Sequence, residues 1–435
     1  MSLRALVVSH AYPRISNPWH GLFVHRWNQG LLRAGIDVEV LQLSHWSPPW
    51  PLSALDSAWR EAHAFRRDLR DELDEIPIHH PRVFHPRPSR LFVRDPWEME
   101  SQALVSYSQR DRRLRTADVV IGHFLVPDGY HALQLGRALQ RPVIGVAWGD
   151  DVHAWPERLP GWRERLTSVL DGIDIPVACS RRLAEDANIW MARPRDDWEV
   201  IYAGIDLDRF RAPQNRVDMK RQVFGESVPA NAKVLLMVGQ RVIAKGYIEL
   251  LDAWQRLEAA APDWHLVMAG VNRGDVDVIG ESARRRLTRT HWVGEVADLA
   301  SMLQASDGFV LPSHNEGLSL SVVEALATGL PVVTTDVGGH AEVLRSAAEG
   351  WLIPPRDVDA LATALQALIA LSAEERAARA VTARGAAEQF GSALHNAARL
   401  AELVRRVAER GRTAPAPSPR SSSTNRTRKS PARSV

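Results

Sequence analysis

Apolar residues in this chain fall into short continuous runs that alternate with longer stretches where they recur every third or fourth position. Short runs bounded by turn residues predict buried strands, and the recurring pattern predicts helices with one face toward a core. On this reading strands lie at 3–9, 36–43, 119–122, 143–147, 175–179 and 200–203, with helices at 22–34, 129–139 and 181–190 between them. After Gly204 the chain turns polar and broken (IDLDRFRAPQNRVDMKRQVFGESVPANA), which predicts a junction. A second series follows, with strands at 234–238, 266–269, 292–293, 309–311 and 332–334, and helices at 246–260, 298–305, from about 319, and at 341–346. Leu361, Leu365, Leu368 and Leu371 open a helical segment over 358–410. The reading is an α/β protein with two doubly wound, Rossmann-like halves, 1–207 and 208–372. Residues 44–97, rich in Trp, Pro, His and Arg, have weak periodicity and read as loops and irregular helices on the face of the first half.

Composition adds limits. The 435 residues are 45% apolar and 24% charged, ordinary for a globular protein, and the single cysteine, Cys179, excludes a disulfide framework and suits a reducing cytosol. The net charge of +2 hides an asymmetry: six basic residues and no acids follow Gly411, leaving 48 basic against 52 acidic residues, or −4, for 1–410. A mildly acidic body argues against nucleic acid as its partner, and 411–435, rich in Ser, Pro and Arg, reads as a disordered basic tail. MSLRALVVSH does not read as a secretory signal, and no run approaches the ~18 apolar residues of a membrane span, so a cytoplasmic location is expected.

The candidate chemistry concentrates in SHNEGLSLSVVEALATGL, residues 313–330. A helix starting at Ser319 leaves the amides of Gly317, Leu318, Ser319 and Leu320 without partners, a ready site for an anion. Glu316 stands just before them. Glu324 stands inside, among Val322, Val323, Ala325 and Leu326, where an ionised carboxyl needs a partner; sugar hydroxyls would serve. There is no G-x-G-x-x-G for a nicotinamide or flavin. Asp206 and Asp208 form a D-x-D at the junction, read as turn and capping residues, and no metal or other cofactor is predicted.

With PSHNEG before it and EALATGLPVVTTDVGG after it, the Glu316–Glu324 spacing resembles the E-x7-E pattern of the family 4 retaining glycosyltransferases, whose two-domain fold is called GT-B. Weaker likenesses run through AYPRISNPWHGLFVHR, VVIGHFLVPDGYHAL, YAGIDLDRF, VGQRVIAKG and GWLIPPRDVDALATAL. The resemblance implies that Glu324 binds the ribose of a nucleoside-diphosphate sugar and Glu316 the transferred sugar. Gly317 to Ser319 would hold the distal phosphate and Lys245 the diphosphate, while His123 would contact the sugar. Gly21 matches a glycine that approaches the phosphates, and Asp151 an acceptor-side or structural aspartate. Two positions depart from the pattern. Gln240 occupies the place of a phosphate-binding arginine, with Arg241 one step later as the donor-binding candidate that a shifted loop would bring to the phosphates, and His20 replaces a glycine. The expected activity is metal-independent transfer to a glycan or lipid-linked acceptor, with retention, in envelope or extracellular polysaccharide synthesis. Helices over 373–410 would cross back to the first half. The basic tail and the Trp-rich segment point to peripheral contact with an anionic membrane on its inner face. A non-catalytic sugar-nucleotide-binding scaffold and a sugar-nucleotide epimerase on the same fold are the alternatives.

Overall fold

A computed structural model describes residues 2–55, 57–83, 95–159, 161–272, 276–346 and 348–413. Two sheets carry the chain. In the first, eight strands run in the order Glu199–Val200, Ile175–Ala178, Val143–Ala147, Val119–His123, Leu3–Val8, Ile36–Leu41, Ile76–His79, Glu72–Leu73, all parallel except the last. The second has six parallel strands in the order Thr290–Gly294, Trp264–Ala269, Lys233–Val238, Gly308–Leu311, Val332–Thr335, Trp351–Ile353. Parallel strands covered by helices on both faces are buried on both, which is why they read as unbroken apolar runs. Leu3–Val8 shows this: Ala5 and Val7 join one core, Leu6 and Val8 the other.

The C-terminal segment forms three helices, Val358–Ala370, Ala373–Phe390 and Ala393–Thr413. The last lies on the first half, where Leu400, Leu403, Val404 and Val407 pack with Trp27 and Leu31. The contact is close: a Cβ on Gly30 would stand 2.1 Å from that of Ala397.

Several elements differ from the expected ones. The 44–97 excursion adds the antiparallel pair Glu72–Leu73 and Ile76–His79 to the sheet and carries a helix, Ser57–Arg67. Helices Pro96–Arg110, Trp162–Gly172 and Val278–Arg284 and strand Trp351–Ile353 were not legible. The junction contains helix Arg216–Phe224, capped by Asn215. The expectations for residues 84–94 and for the tail beyond 413 lie outside the described residues. Among the described residues no helix is long and apolar enough to cross a membrane.

Candidate active site

The halves meet where the loops at the carboxyl ends of their strands face each other, the usual ligand position in open α/β sheets. Gly308–Leu311 leads into the loop that holds Glu316, and helix Leu320–Ala327 follows. Ser319 is its N-cap residue, but its hydroxyl pairs with Ser321 at 2.9 Å and caps no amide. The amides of Gly317, Leu318 and Ser319 donate to no protein acceptor among the described residues. The positive end of the helix is left open to a ligand.

Two carboxyls flank that end, with pKa values pushed in opposite directions. Glu316 accepts from Lys245 Nζ at 2.5 Å and from Ser313 Oγ at 2.7 Å. Burial raises its pKa, but Lys245 and His340 pull harder and hold it below the ordinary value. Lys245 ends the turn Ile243–Lys245, and Gly246 follows at φ 73°, where a Cβ would meet the Pro312 carbonyl oxygen at 2.0 Å. Only glycine lets the lysine loop lie against the glutamate loop this closely. Glu324 is buried, and its carboxyl has no hydrogen-bond partner among the described residues. Burial pushes its carboxyl up to about 7, against the pull of Arg26 and Arg209. Arg26 belongs to the first half, on helix Leu22–Arg33, so Glu324 is felt across the cleft.

In the first half His123 ends strand Val119–His123. Trp148 Nε1 donates to its Nδ1 at 3.2 Å, and its ring stacks on Trp148 and meets Trp27 edge-on. Burial lowers its pKa to about 3, so the ring is neutral, with its proton on Nε2. The structure thus brings Glu316, Lys245 and Gly317–Ser319 together, with Glu324 just inside the helix.

Three expected residues stand elsewhere or serve otherwise. Asp151 takes the structural of its two expected roles. It is fully buried, and its oxygens accept from the backbone amides of Leu125 at 2.7 Å, Gly149 at 2.8 Å and Trp148 at 3.1 Å. It shapes the Trp148–Gly149 turn, and burial still pushes its carboxyl up to about 6. Arg241 does not reach Lys245 or Glu316: its guanidinium lies over Trp292, 5.5 Å from the ring centre, and Gln240 is exposed. Gly21 sits at φ 67°, where a Cβ would meet the Ala11 carbonyl oxygen at 2.2 Å, so chain crossing alone requires glycine there. Asp206 caps a turn by accepting from the amides of Asp208 and Arg209. No group of three or more candidate metal ligands occurs among the described residues.

A cross-half contact fixes the glutamate loop. A Cβ on Gly317 would stand 2.0 Å from the Trp148 carbonyl oxygen. The Gly317 carbonyl accepts from Ser180 Oγ at 2.9 Å and from the Gly339 amide at 2.8 Å. Glu342 accepts from the amides of Arg181 and Arg182, at the start of helix Arg181–Asn188, and from the Tyr202 hydroxyl at 2.7 Å. Ser180, Tyr202 and Glu342 were missed in the sequence; the GGHAE string carrying Glu342 was the available signal. Beside this contact a cavity of about 480 Å³ opens between the halves, bordered by Glu316, His314 and Asp336 on one side and His153, Arg182 and Trp190 on the other.

Comparison with known proteins fits this geometry. The family described as Glycosyl transferases group 1 matches residues 218–385, and that described as Glycosyltransferase Family 4 matches 20–209. A glycogen synthase of Mycobacterium tuberculosis is 31% identical over 408 residues, covering 88% of this chain and 90% of its own. The chain is a family 4 glycosyltransferase. A Bacillus subtilis protein, named as the teichuronic acid biosynthesis glycosyltransferase TuaC, is 28% identical over 370 residues, 83% of this chain and 88% of its own. Among solved structures, the sucrose-phosphate synthase of Thermosynechococcus elongatus superposes with a TM-score of 0.72 at 18% identity, covering 94% of this chain and all of its own. Anabaena Alr3699/HepE, solved with UDP and glucose, gives 0.68 at 18% identity, covering 93% of this chain and all of its own. At such identities the likeness establishes the fold, and the glycosyltransferase has the GT-B fold.

Proposed function

We propose that this glycosyltransferase takes a sugar from a nucleoside-diphosphate sugar and places it on a hydroxyl of a glycan or lipid-linked acceptor. The observation that carries the reading is the convergence of open amides, a half-buried lysine–glutamate pair and the buried Glu324 carboxyl at one helix start. The amides of Gly317–Ser319 and the ammonium of Lys245 would receive the diphosphate. As the C1–oxygen bond breaks, negative charge grows on the phosphate, and preorganised donors at that point lower the barrier. Glu324 would accept hydrogen bonds from the ribose hydroxyls, the partners it otherwise lacks. Glu316 would exchange its lysine for hydroxyls of the transferred sugar, which frees the lysine for phosphate. His123, neutral and protonated on Nε2, would donate to a sugar hydroxyl from the opposite wall.

The reaction needs no metal in this reading, since lysine and amides supply the positive charge. Retention, with the leaving phosphate taking the acceptor's proton on the same face, follows from the family resemblance and from the lack of an assignable carboxylate nucleophile. Cell-envelope or extracellular polysaccharide synthesis is supported by the relatives' names: TuaC is named for teichuronic acid, and a Rhizobium meliloti relative for the lipopolysaccharide core. A cytoplasmic enzyme touching the membrane peripherally through its basic tail completes the proposal; vesicle co-sedimentation that survives deletion of 412–435 would contradict the tail's part in it.

The test is release of nucleoside diphosphate from a panel of UDP-, GDP- and ADP-sugars, with and without lipid extract, with the product anomer read by proton NMR. One donor class turning over, with the donor's own anomer in the product, is expected. Inversion would contradict the stereochemical part alone, and binding with no release would contradict the whole.

A further inference from the structure

One polar pair of the first half takes no part in the donor site. His10 follows strand Leu3–Val8, and Phe124 follows the neighbouring strand Val119–His123, with Val8 in register with Gly122. Both therefore stand at carboxyl strand ends, on the side that faces the cleft. Asp128 is buried, and its carboxylate is devoted to His10. It accepts from Nδ1 at 2.8 Å and from the His10 backbone amide at 3.0 and 3.1 Å. The backbone bonds alone would brace the loop. The Nδ1 bond does something further: it fixes the ring's orientation and leaves Nε2 as the atom that meets a ligand. Burial works to lower the His10 pKa, but Asp128, with help from Asp151, raises it overall. Nε2 can pair with a hydroxyl in either protonation state.

The ring is 41% exposed and has aromatic neighbours, Phe124 at 4.9 Å and Trp155 at 6.1 Å between centres. Phe124 is held at φ 68°, ψ 119°, a conformation non-glycine residues avoid and which collects at functional sites. Trp155 is half-buried and meets Trp162 edge-on at 5.1 Å, so a line of rings leads away from His10.

We infer that His10, oriented by Asp128 and flanked by Trp155, is the subsite for a pyranose ring of the acceptor, with Nε2 on a ring hydroxyl and the sugar's C–H face on the indole. Hydroxyls and an apolar face on one small ring are what a fixed imidazole beside an aromatic plane can hold. The inference rests on the proposed transfer reaction for its place, since the elements proposed to hold the diphosphate and ribose lie across the cleft.

The test binds methyl glycosides and trisaccharides of glucose, galactose, mannose and N-acetylglucosamine to the full chain without donor, read by tryptophan fluorescence. Acceptor and donor constants from initial rates accompany it. The wild type should bind at least one glycan, and His10→Gln and Asp128→Asn should each weaken binding and raise the acceptor KM about tenfold, the worth of one lost hydrogen bond to an oriented group. The donor Kd should stay near the wild-type value, and Trp155→Phe should keep more glycan affinity than Trp155→Ala. Glycan binding that is unchanged in both His10→Gln and Asp128→Asn, or changed only alongside a collapse of Tm, would overturn the subsite. So would a wild type that binds no glycan of the panel. Absence of donor turnover with glycan binding intact would count against the proposed reaction and not against this subsite.

Discussion

Glu324 is costly while its site is empty. Its folded pKa of about 7 lies above the ordinary 4.5, so between those values the folded protein holds a proton that the unfolded chain releases. Stability therefore falls as pH rises through this window, and the full cost, at most about 3 kcal/mol, is present above it. Glu324→Gln should raise Tm by a few degrees at pH 8 and by little near pH 5 in calorimetric scans, although it alters the proposed ribose contact. A less stable variant at pH 8 would mean that the carboxylate has a partner in the free protein. His123 has the opposite sign: its folded pKa of about 3 lies below the ordinary 6.5, so its contribution is whole above pH 6.5 and is lost as pH falls toward 3. Lys245→Ala leaves the half-buried Glu316 without its cation and should lower stability by on the order of 2 kcal/mol, with at least about a 100-fold loss of turnover. Glu316 and Glu324 stood out because one local string carries a helix start with a carboxyl on either side of it, and Lys245 and His123 stood out through the family resemblance of the strings around them. His10–Asp128, Ser180–Gly317 and Arg181–Glu342 were not, since those partners lie 118, 137 and 161 positions apart.

Helix Leu320–Ala327 starts one residue from its expected place because its apolar positions and flanking strands are strongly periodic. Pro96–Arg110 escaped notice for the opposite reason: its buried residues are Ser101, Leu104 and Ser108, which make no apolar stripe. The loops that join the halves depend on glycine. Gly317→Ala would drive a methyl into the Trp148 carbonyl, 2.0 Å away. It should lower kcat at least about tenfold and enlarge the radius of gyration in X-ray scattering, with circular dichroism unchanged, because either half can stay folded while the contact opens. Glu342→Ala should act in the same direction by freeing the amides of Arg181 and Arg182. A scattering profile unchanged in both variants would show that this contact does not hold the halves together.

Across the whole molecule, two mostly parallel sheets carry the two halves, and the final helix ties the second half back onto the first. A chain ended at residue 391 loses Leu400, Leu403, Val404 and Val407 from the core of the first half. At roughly 2 kcal/mol for each buried side chain, that should unfold the first half at ordinary temperatures, as seen in calorimetry or proteolysis. The two-sheet architecture was readable because parallel strands betray themselves as apolar runs; how the halves dock was not, since it depends on shape at glycines and on single distant bonds. In the proposed reaction one helix start, with Lys245 and Glu324, binds and activates a nucleoside-diphosphate sugar. Its most direct test is titration calorimetry of UDP-, GDP- and ADP-sugars against wild type, Glu324→Gln and Lys245→Ala, with nucleoside-diphosphate release followed in the same samples. One donor class should bind the wild type and be turned over, with affinity or release falling at least about tenfold in each variant. Equal binding and release in all three proteins would contradict the site.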